Sequence, residues 1–273
     1  MTFRGERLGG ASASMGSWGC PLLEDDFDSR ALIEPSEVVH PGDVPPGVVL
    51  CFFAEVISSL RERVDARVIC EFPTQCGVHL LWEFEHRGHR VGVLHPGVGA
   101  PLAAALLEEV IALGSRSFVA VGGCGALIET LQLGQLVVVG SAVRDEGTSF
   151  HYLHPSRVVQ AGQMGVEVLR QTLMDANADF RVGRSWTTDA FYRETRNRAD
   201  RRVAEGCVTV EMEAAALFAV AEYRKVRLAQ LLYVGDSLAG PVWQERSWSS
   251  AYDVRQEAFW LAVNACIDLQ ARG

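Results

Sequence analysis

The sequence predicts an α/β protein, a single domain in which a mixed, twisted central sheet is flanked by helices. Three observations carry this. Short apolar runs such as Val48-Val49-Leu50-Cys51-Phe52-Phe53 read as strands buried on both faces. Segments with helical spacing alternate with them, among them 102–113 and the Ala-rich stretch beginning at Ala214. Strand, crossover helix and strand follow one another at the length a parallel pair requires.

Residues 1–46 read as an N-terminal extension: Gly/Ser-rich, then acidic from Glu24 to Asp28, then broken by Pro41, Pro45 and Pro46. The domain spans 47–273. It opens with a strand at 48–53 and a helix at 54–60, which puts Glu55 at a strand-to-helix turn. Strands follow at 67–72, 79–85 and 90–95, the last two joined as a hairpin at Arg87-Gly88. A helix over 102–113 stops at Gly114 and leads to a strand at 118–121. Gly122-Gly123-Cys124-Gly125 then reads as a loop at the carboxyl edge, where open α/β sheets bind ligands. Beyond it come a strand at 135–140, a polar loop at 144–152, a helix at 158–174 and a strand at 181–187. A charged helix at 193–205, a strand at 208–210, the Ala-rich helix, a strand at 228–234, a loop at 235–241 and a helix at 249–270 complete the chain.

Composition narrows the partners. A chain of 273 residues with 48% hydrophobic and 22% charged residues builds a substantial core, and no apolar run reaches the length of a bilayer span. A net charge of -9 argues against nucleic acid or an anionic membrane surface, both of which select a basic footprint. The seven cysteines are scattered, with no C-x-x-C pair. They read as free thiols of a reducing cytoplasm, and the N-terminus lacks the apolar core of a signal peptide.

The stretch Val208-Thr209-Val210-Glu211-Met212-Glu213-Ala214-Ala215-Ala216-Leu217 is the most informative. A β-branched run passes without Gly or Pro into a helix that has almost no polar face. Carboxylates at a helix start are favoured by the dipole, and a capped, solvated helix is the plain alternative. A carboxylate at the mouth of a buried helix, however, calls for a ligand or a fixed partner. Asp236 also ends an apolar strand, with no basic neighbour in sequence. It is either a turn cap or a general acid whose apolar setting favours the protonated form.

From His95 to Gly240 the order of segments resembles the nucleoside phosphorylase family, which contains uridine and purine nucleoside phosphorylases and methylthioadenosine nucleosidases. The segments are His95-Pro96-Gly97-Val98-Gly99-Ala100, Gly122 to Leu127, Arg144-Asp145-Glu146-Gly147-Thr148-Ser149, Thr188 to Tyr192, Val210 to Ala215 and Gly235-Asp236. The resemblance implies that Met212 and Glu213, with Glu211 beside them, bind the sugar, that Phe191 lies against the base or sugar, and that Asp236 protonates N7 of a leaving purine. Gly122 and Gly123 would cradle phosphate, and Glu55 matches the nucleosidase glutamate that activates water. Thr195 and Asn197 stand where the uridine enzymes place the Gln and Arg that read uracil. It implies a small-molecule nucleoside as partner, a homo-oligomer, and neither metal nor organic cofactor, with phosphate as a possible co-substrate.

The phosphate site departs from that pattern. The Pro-Gly-Asp-Pro-x-Arg turn is replaced by Cys51-Phe52-Phe53-Ala54-Glu55-Val56, and Gly77 and Ala120 stand where two further arginines are expected. Guanidinium partners hold phosphate far better than backbone donors alone. Water is therefore slightly favoured over phosphate as acceptor. A phosphorolytic enzyme that recruits Arg90, Arg116 or Arg144, and a nucleoside-binding module without turnover, are the alternatives. Arg144 could serve phosphate, a 5′ substituent or Asp145, and His40, His79 and His151 are candidates for the 5′-hydroxyl. The roles assigned to Glu55, Glu213 and Asp236 require that the three line one shared cavity.

Overall fold

The computed structural model describes residues 19–24, 26–27, 30–246 and 250–272. The first 18 residues of the expected extension lie outside them. Within the rest of the extension, a short helix α1 (Pro35–Val38) is closed by a reciprocal capping box between Glu34 and Glu37.

Ten strands form one mixed sheet: β1 (Gly47–Cys51), β2 (Arg67–Thr74), β3 (Gly77–His86), β4 (His89–Leu94), β5 (Ser117–Ala126), β6 (Leu136–Asp145), β7 (Val158–Gln160), β8 (Phe180–Thr188), β9 (Cys207–Glu211) and β10 (Arg227–Ser237). Six further helices flank it: α2 (Ala54–Arg63), α3 (Ala100–Leu113), α4 (Gln163–Asp175), α5 (Arg196–Ala204), α6 (Ala214–Arg224) and α7 (Tyr252–Ala271). The path runs β10-β6-β8-β9-β5-β1-β4-β3-β2, and β10 also pairs with β5. Five strands, β5, β10, β6, β8 and β9, therefore close into a ring; β1, β4, β3 and β2 continue outward from β5, and β7 pairs with β6.

Alternation along the central strands builds the two cores. Val48 and Leu50 of β1 face one side with Phe118 and Ala120 of β5, packed under α3 and α6. Val49, Cys51, Val119 and Val121 face the other with Tyr233, under α2, α4 and α7. Each fully buried Val, Leu or Phe contributes about 1.5–3 kcal/mol relative to an exposed one. The helix α6 is buried at every residue from Ala214 to Ala221, as its lack of a polar face predicts.

Several expected elements change. β4 and β5 are parallel, but β1 sits between them and pairs with both. The helix expected from 158 begins at Gln163: the β-branched pair Val158-Val159 joins β6 as an antiparallel strand, and Gly162 caps the helix. The charged helix is shorter, a 3-10 turn at Phe191–Arg193 preceding α5 with Thr195 as its N-cap. The closing helix starts at Tyr252. The Gly122–Gly125 and Gly235–Ser237 segments are not loops but the far ends of β5 and β10, and Arg144 lies inside β6. Among the described residues no helix is long and apolar enough to cross a membrane.

Candidate active site

The extensions of β5 and β10 bring three distant segments together. Gly125 pairs with Val210 of β9 on one side and with Asp236 of β10 on the other. The three segments singled out in the sequence thus meet at one residue. A Cβ on Gly125 would lie 2.7 Å from Leu238 Cδ1, 3.1 Å from Val210 Cγ1 and 3.2 Å from Asp236 Oδ1, so only glycine lets these strands approach. A bulge between Val234 and Asp236 shifts the register of β10 just before the acid.

Around this junction lies a cavity of about 780 Å³. Gly123, Cys124, Val210, Met212, Tyr233 and Leu238 line it together with the aromatics Phe191, Tyr192 and Trp243 and the acids Glu194, Glu211 and Asp236. No Arg or Lys is among its described lining residues. Burial pushes the Asp236 carboxyl up, against the Trp243 indole N–H that donates to Oδ2, its own backbone, and Arg246. Burial, and then the neighbouring Asp236 charge, push Glu194 up to about 7. A larger hollow of about 940 Å³ lies between Asp26, Phe27 and residues 30–38 on one side and helices α3 and α6 on the other. It contains His151 but none of the converging strand ends.

The cavity thus gathers Asp236, Glu211, Met212, Phe191 and Gly123 and leaves Glu55, Glu213, Gly122 and Arg144 off its wall. Glu211 is anchored within the protein. Its Oε1 accepts from Thr187 Oγ1 at 2.6 Å and Ser185 Oγ at 3.1 Å, and its Oε2 from the backbone N–H of Glu213 at 2.8 Å and Ala214 at 2.6 Å. It therefore satisfies the start of α6 that Glu213, with no side-chain capping bond, leaves open. Glu213 instead accepts from Gly99 N–H at 2.6 Å, tying the loop before α3 to this corner. Burial, reinforced by the Glu211 charge, pushes its carboxyl up to about 8.

Glu55 stands behind the Tyr233 wall. Its Oε1 accepts from Arg255 Nη1 at 2.7 Å, while Arg255 Nε donates to the Tyr233 hydroxyl at 2.9 Å. The expected convergence of three carboxyls on one cavity fails: only Asp236 lines it. Arg255 of α7 holds Glu55 behind the wall and the Gly99 amide before α3 holds Glu213, so the water-activating role expected of Glu55 is not supported. Gly122 is covered by the Phe52 ring, whose Cδ2 would lie 3.1 Å from an added Cβ. An aromatic ring thus occupies the space beside the expected phosphate cradle.

Arg144 is buried and serves the protein's own loop. It donates to Ser149 Oγ (2.8 Å), His154 O (2.8 Å), Ser156 Oγ (2.8 Å) and Leu153 O (3.1 Å), with its guanidinium over the Phe150 ring. Asp145 is engaged by the Trp186 indole at 2.9 Å. Arg90 pairs with Glu83 and Asp43, and Arg116 with the carbonyls of Ile111 and Ser115, so neither reaches the cavity. Of the histidines, His79 bonds the His95 carbonyl at 3.0 Å and His40 is exposed.

Sequence reasoning missed Glu194, Tyr233 and Trp243. Thr195 and Asn197, the positions expected to face the base, are exposed, and Glu194 faces the cavity instead. The one available signal was the Glu inside the basic run Arg193-Glu194-Thr195-Arg196.

Comparison with known proteins agrees with this architecture. The family model described as the phosphorylase superfamily matches residues 48–261. A guanosine phosphorylase of Halorubrum lacusprofundi is 28% identical over 219 residues, 77% of this chain and 83% of that protein. A uridine phosphorylase of Thermococcus kodakarensis is 28% identical over 204 residues, 68% of this chain and 71% of that protein. Among solved structures, a purine nucleoside phosphorylase from Toxoplasma gondii in complex with immucillin-H superposes with a TM-score of 0.74 at 18% identity, covering 85% of this chain and 94% of that one. A uridine phosphorylase from Vibrio fischeri gives 0.71 at 20% identity, covering 88% and 100%.

Proposed function

Starting from the phosphorylase superfamily, to which this chain belongs, we propose that it is an enzyme that cleaves the N-glycosidic bond of a purine-type nucleoside, with water favoured over phosphate as acceptor. The observation that carries the base assignment is Asp236, a carboxyl raised by burial at the end of β10, in a cavity with aromatic walls. An N-glycosidic bond breaks through an oxocarbenium-like sugar, and the leaving base takes the electron pair of the broken bond. A proton delivered to purine N7 neutralises that base, and a carboxyl whose burial favours the protonated form can deliver it. Pyrimidines have no N7.

Glu194 supports the same choice. Among the described residues no donor reaches its carboxyl, so it offers oxygen acceptors to N–H groups on a base edge. Phe191 and Tyr192, with ring centroids 4.1 Å apart, supply an aromatic wall for a planar heterocycle. Met212 lies at the sugar end, next to the Glu211–Glu213 corner.

The acceptor assignment rests on charge. Phosphate would meet a cavity lined by three acids, a Phe52 ring over Gly122 and, among the described residues, no guanidinium, so backbone N–H groups would have to hold it alone. A neutral water carries no such penalty. Phosphorolysis is the second reading, favoured by the names of the relatives and by the exposed backbone at Gly123. Supplying purine nucleosides with and without phosphate and identifying the sugar product separates the two. Free ribose assigns water and ribose 1-phosphate assigns phosphate. Release of no base, together with a rise in melting temperature on adding nucleoside, would leave only binding.

A further inference from the structure

The segment after β10 folds back over the cavity and does not simply leave it. Ser237 and Gln244 exchange two backbone hydrogen bonds of 2.9 Å, N–H of each to the carbonyl of the other. The Ala239 N–H adds a bond to Ser237 Oγ at 3.3 Å. Arg196 of α5 donates to the Gly240 carbonyl, and Arg246 Nη1 to the Leu131 carbonyl at 3.3 Å. This narrow hairpin places Trp243 over the acid, its indole Nε1–H donating to Asp236 Oδ2. Trp243 is otherwise 59% exposed and Val242 beside it 67%. A large aromatic left this far in solvent has little apolar burial to hold it, so the bond to Asp236 is its principal tie to the cavity.

That bond opposes the chemistry. An indole N–H is a donor only, and it favours the ionised carboxylate. A purine N7 is an acceptor and requires the protonated acid. The two partners therefore draw one carboxyl toward opposite protonation states. We propose that Trp243 is a positioning residue for Asp236: in the free protein its indole N–H occupies the carboxylate, and the N7 edge of the arriving base takes the carboxyl over. This rests on the nucleoside reading above, but the free-protein contact can be tested without turnover.

Four other groups share the setting of Asp236. Glu194 lies across the cavity, Arg246 on the returning segment, Cys124 on β5 and Glu211 on β9. None is altered by Trp243→Phe, which keeps a ring on the hairpin and removes only the donor. In that variant the alkaline limb of kcat/KM, which reports the free enzyme, moves up by about one pH unit, because the carboxylate loses a donor. A role confined to holding the hairpin would raise KM and leave the limb in place.

The decisive experiment is a ¹H–¹⁵N spectrum of the indole groups across pH, with the Trp243 resonance assigned by its absence in Trp243→Phe. The expected result is that it titrates with Asp236, that Asp236→Asn shifts it and abolishes the titration, and that guanosine shifts the wild-type signal. A Trp243 resonance indifferent to both pH and Asp236→Asn overturns the proposal, whatever the activity. A resonance that titrates with Asp236 in a protein releasing no base from any nucleoside would uphold the contact and sink the reading of the function.

Discussion

Glu213→Gln isolates the electrostatic cost of the buried corner at the start of α6. The wild-type carboxyl rises from its ordinary 4.5 to about 8, through burial first and the Glu211 charge second. Between those pH values the folded chain holds a proton that the unfolded chain has released. Stability therefore falls as pH rises through the window and levels off above the folded value. Each tenfold change in proton affinity is worth about 1.4 kcal/mol, so the whole interval amounts to on the order of 5 kcal/mol. A glutamine cannot ionise, and its amide oxygen still accepts from the Gly99 N–H that the carboxylate meets at 2.6 Å. Urea unfolding of both proteins from pH 5 to pH 9 reads the difference directly. The variant should match the wild type near pH 5 and exceed it by up to about 5 kcal/mol near pH 9. Parallel stability curves would refute the reasoning, since they would mean that Glu213 ionises in place without cost.

Three other substitutions probe separate parts of the account. Gly125→Ala inserts a methyl 2.7 Å from Leu238 Cδ1 and 3.2 Å from Asp236 Oδ1. It should destabilise the fold by about 1–3 kcal/mol in thermal unfolding and lower kcat by displacing the acid. Arg144→Met strips a donor from Ser149, Leu153, His154 and Ser156. A loss of about 2–4 kcal/mol in denaturant titration with KM for nucleoside unchanged is expected, and a selective rise in KM would return Arg144 to the binding site. Glu55→Gln breaks the pair with Arg255 behind the cavity wall. Steady-state kinetics should show kcat within a few-fold of wild type, whereas a loss of about a hundredfold or more would identify Glu55 as the base that activates water.

Much of the fold could be read from the chain because its strands and helices carry strong local patterns. The run Val48 to Cys51 alternates between two apolar cores, and the Ala-rich α6 lacks a polar face, so both have few competing conformations. Arg87-Gly88 turns the β3–β4 hairpin with positive φ at both residues, a signal visible as a dipeptide. The closure of β5 onto β9 and β10 was not visible. It depends on a close approach at Gly125 between residues more than eighty positions apart, and a lone glycine in sequence also serves ordinary turns.

The site was legible where a residue's chemistry matched its place in the chain and illegible where a distant partner decided. Asp236 could be placed on the cavity because it ends an apolar strand, and Phe191 only through the family resemblance. Glu55 and Arg144 looked equally functional in sequence. Arg255 and the carbonyls at 153 and 154 engage them, and nothing local announces either partner. Trp243 was missed for the opposite reason: it lies in an irregular stretch without periodicity, and only the Ser237–Gln244 pairing turns it back onto the acid.

The most direct test follows base release from guanosine or inosine in phosphate-free buffer, wild type against Asp236→Asn. The account predicts free purine and free ribose from the wild type and a rate at least about a hundredfold lower from the variant. Release of uracil from uridine with purine nucleosides untouched, or equal rates from both proteins, would contradict it.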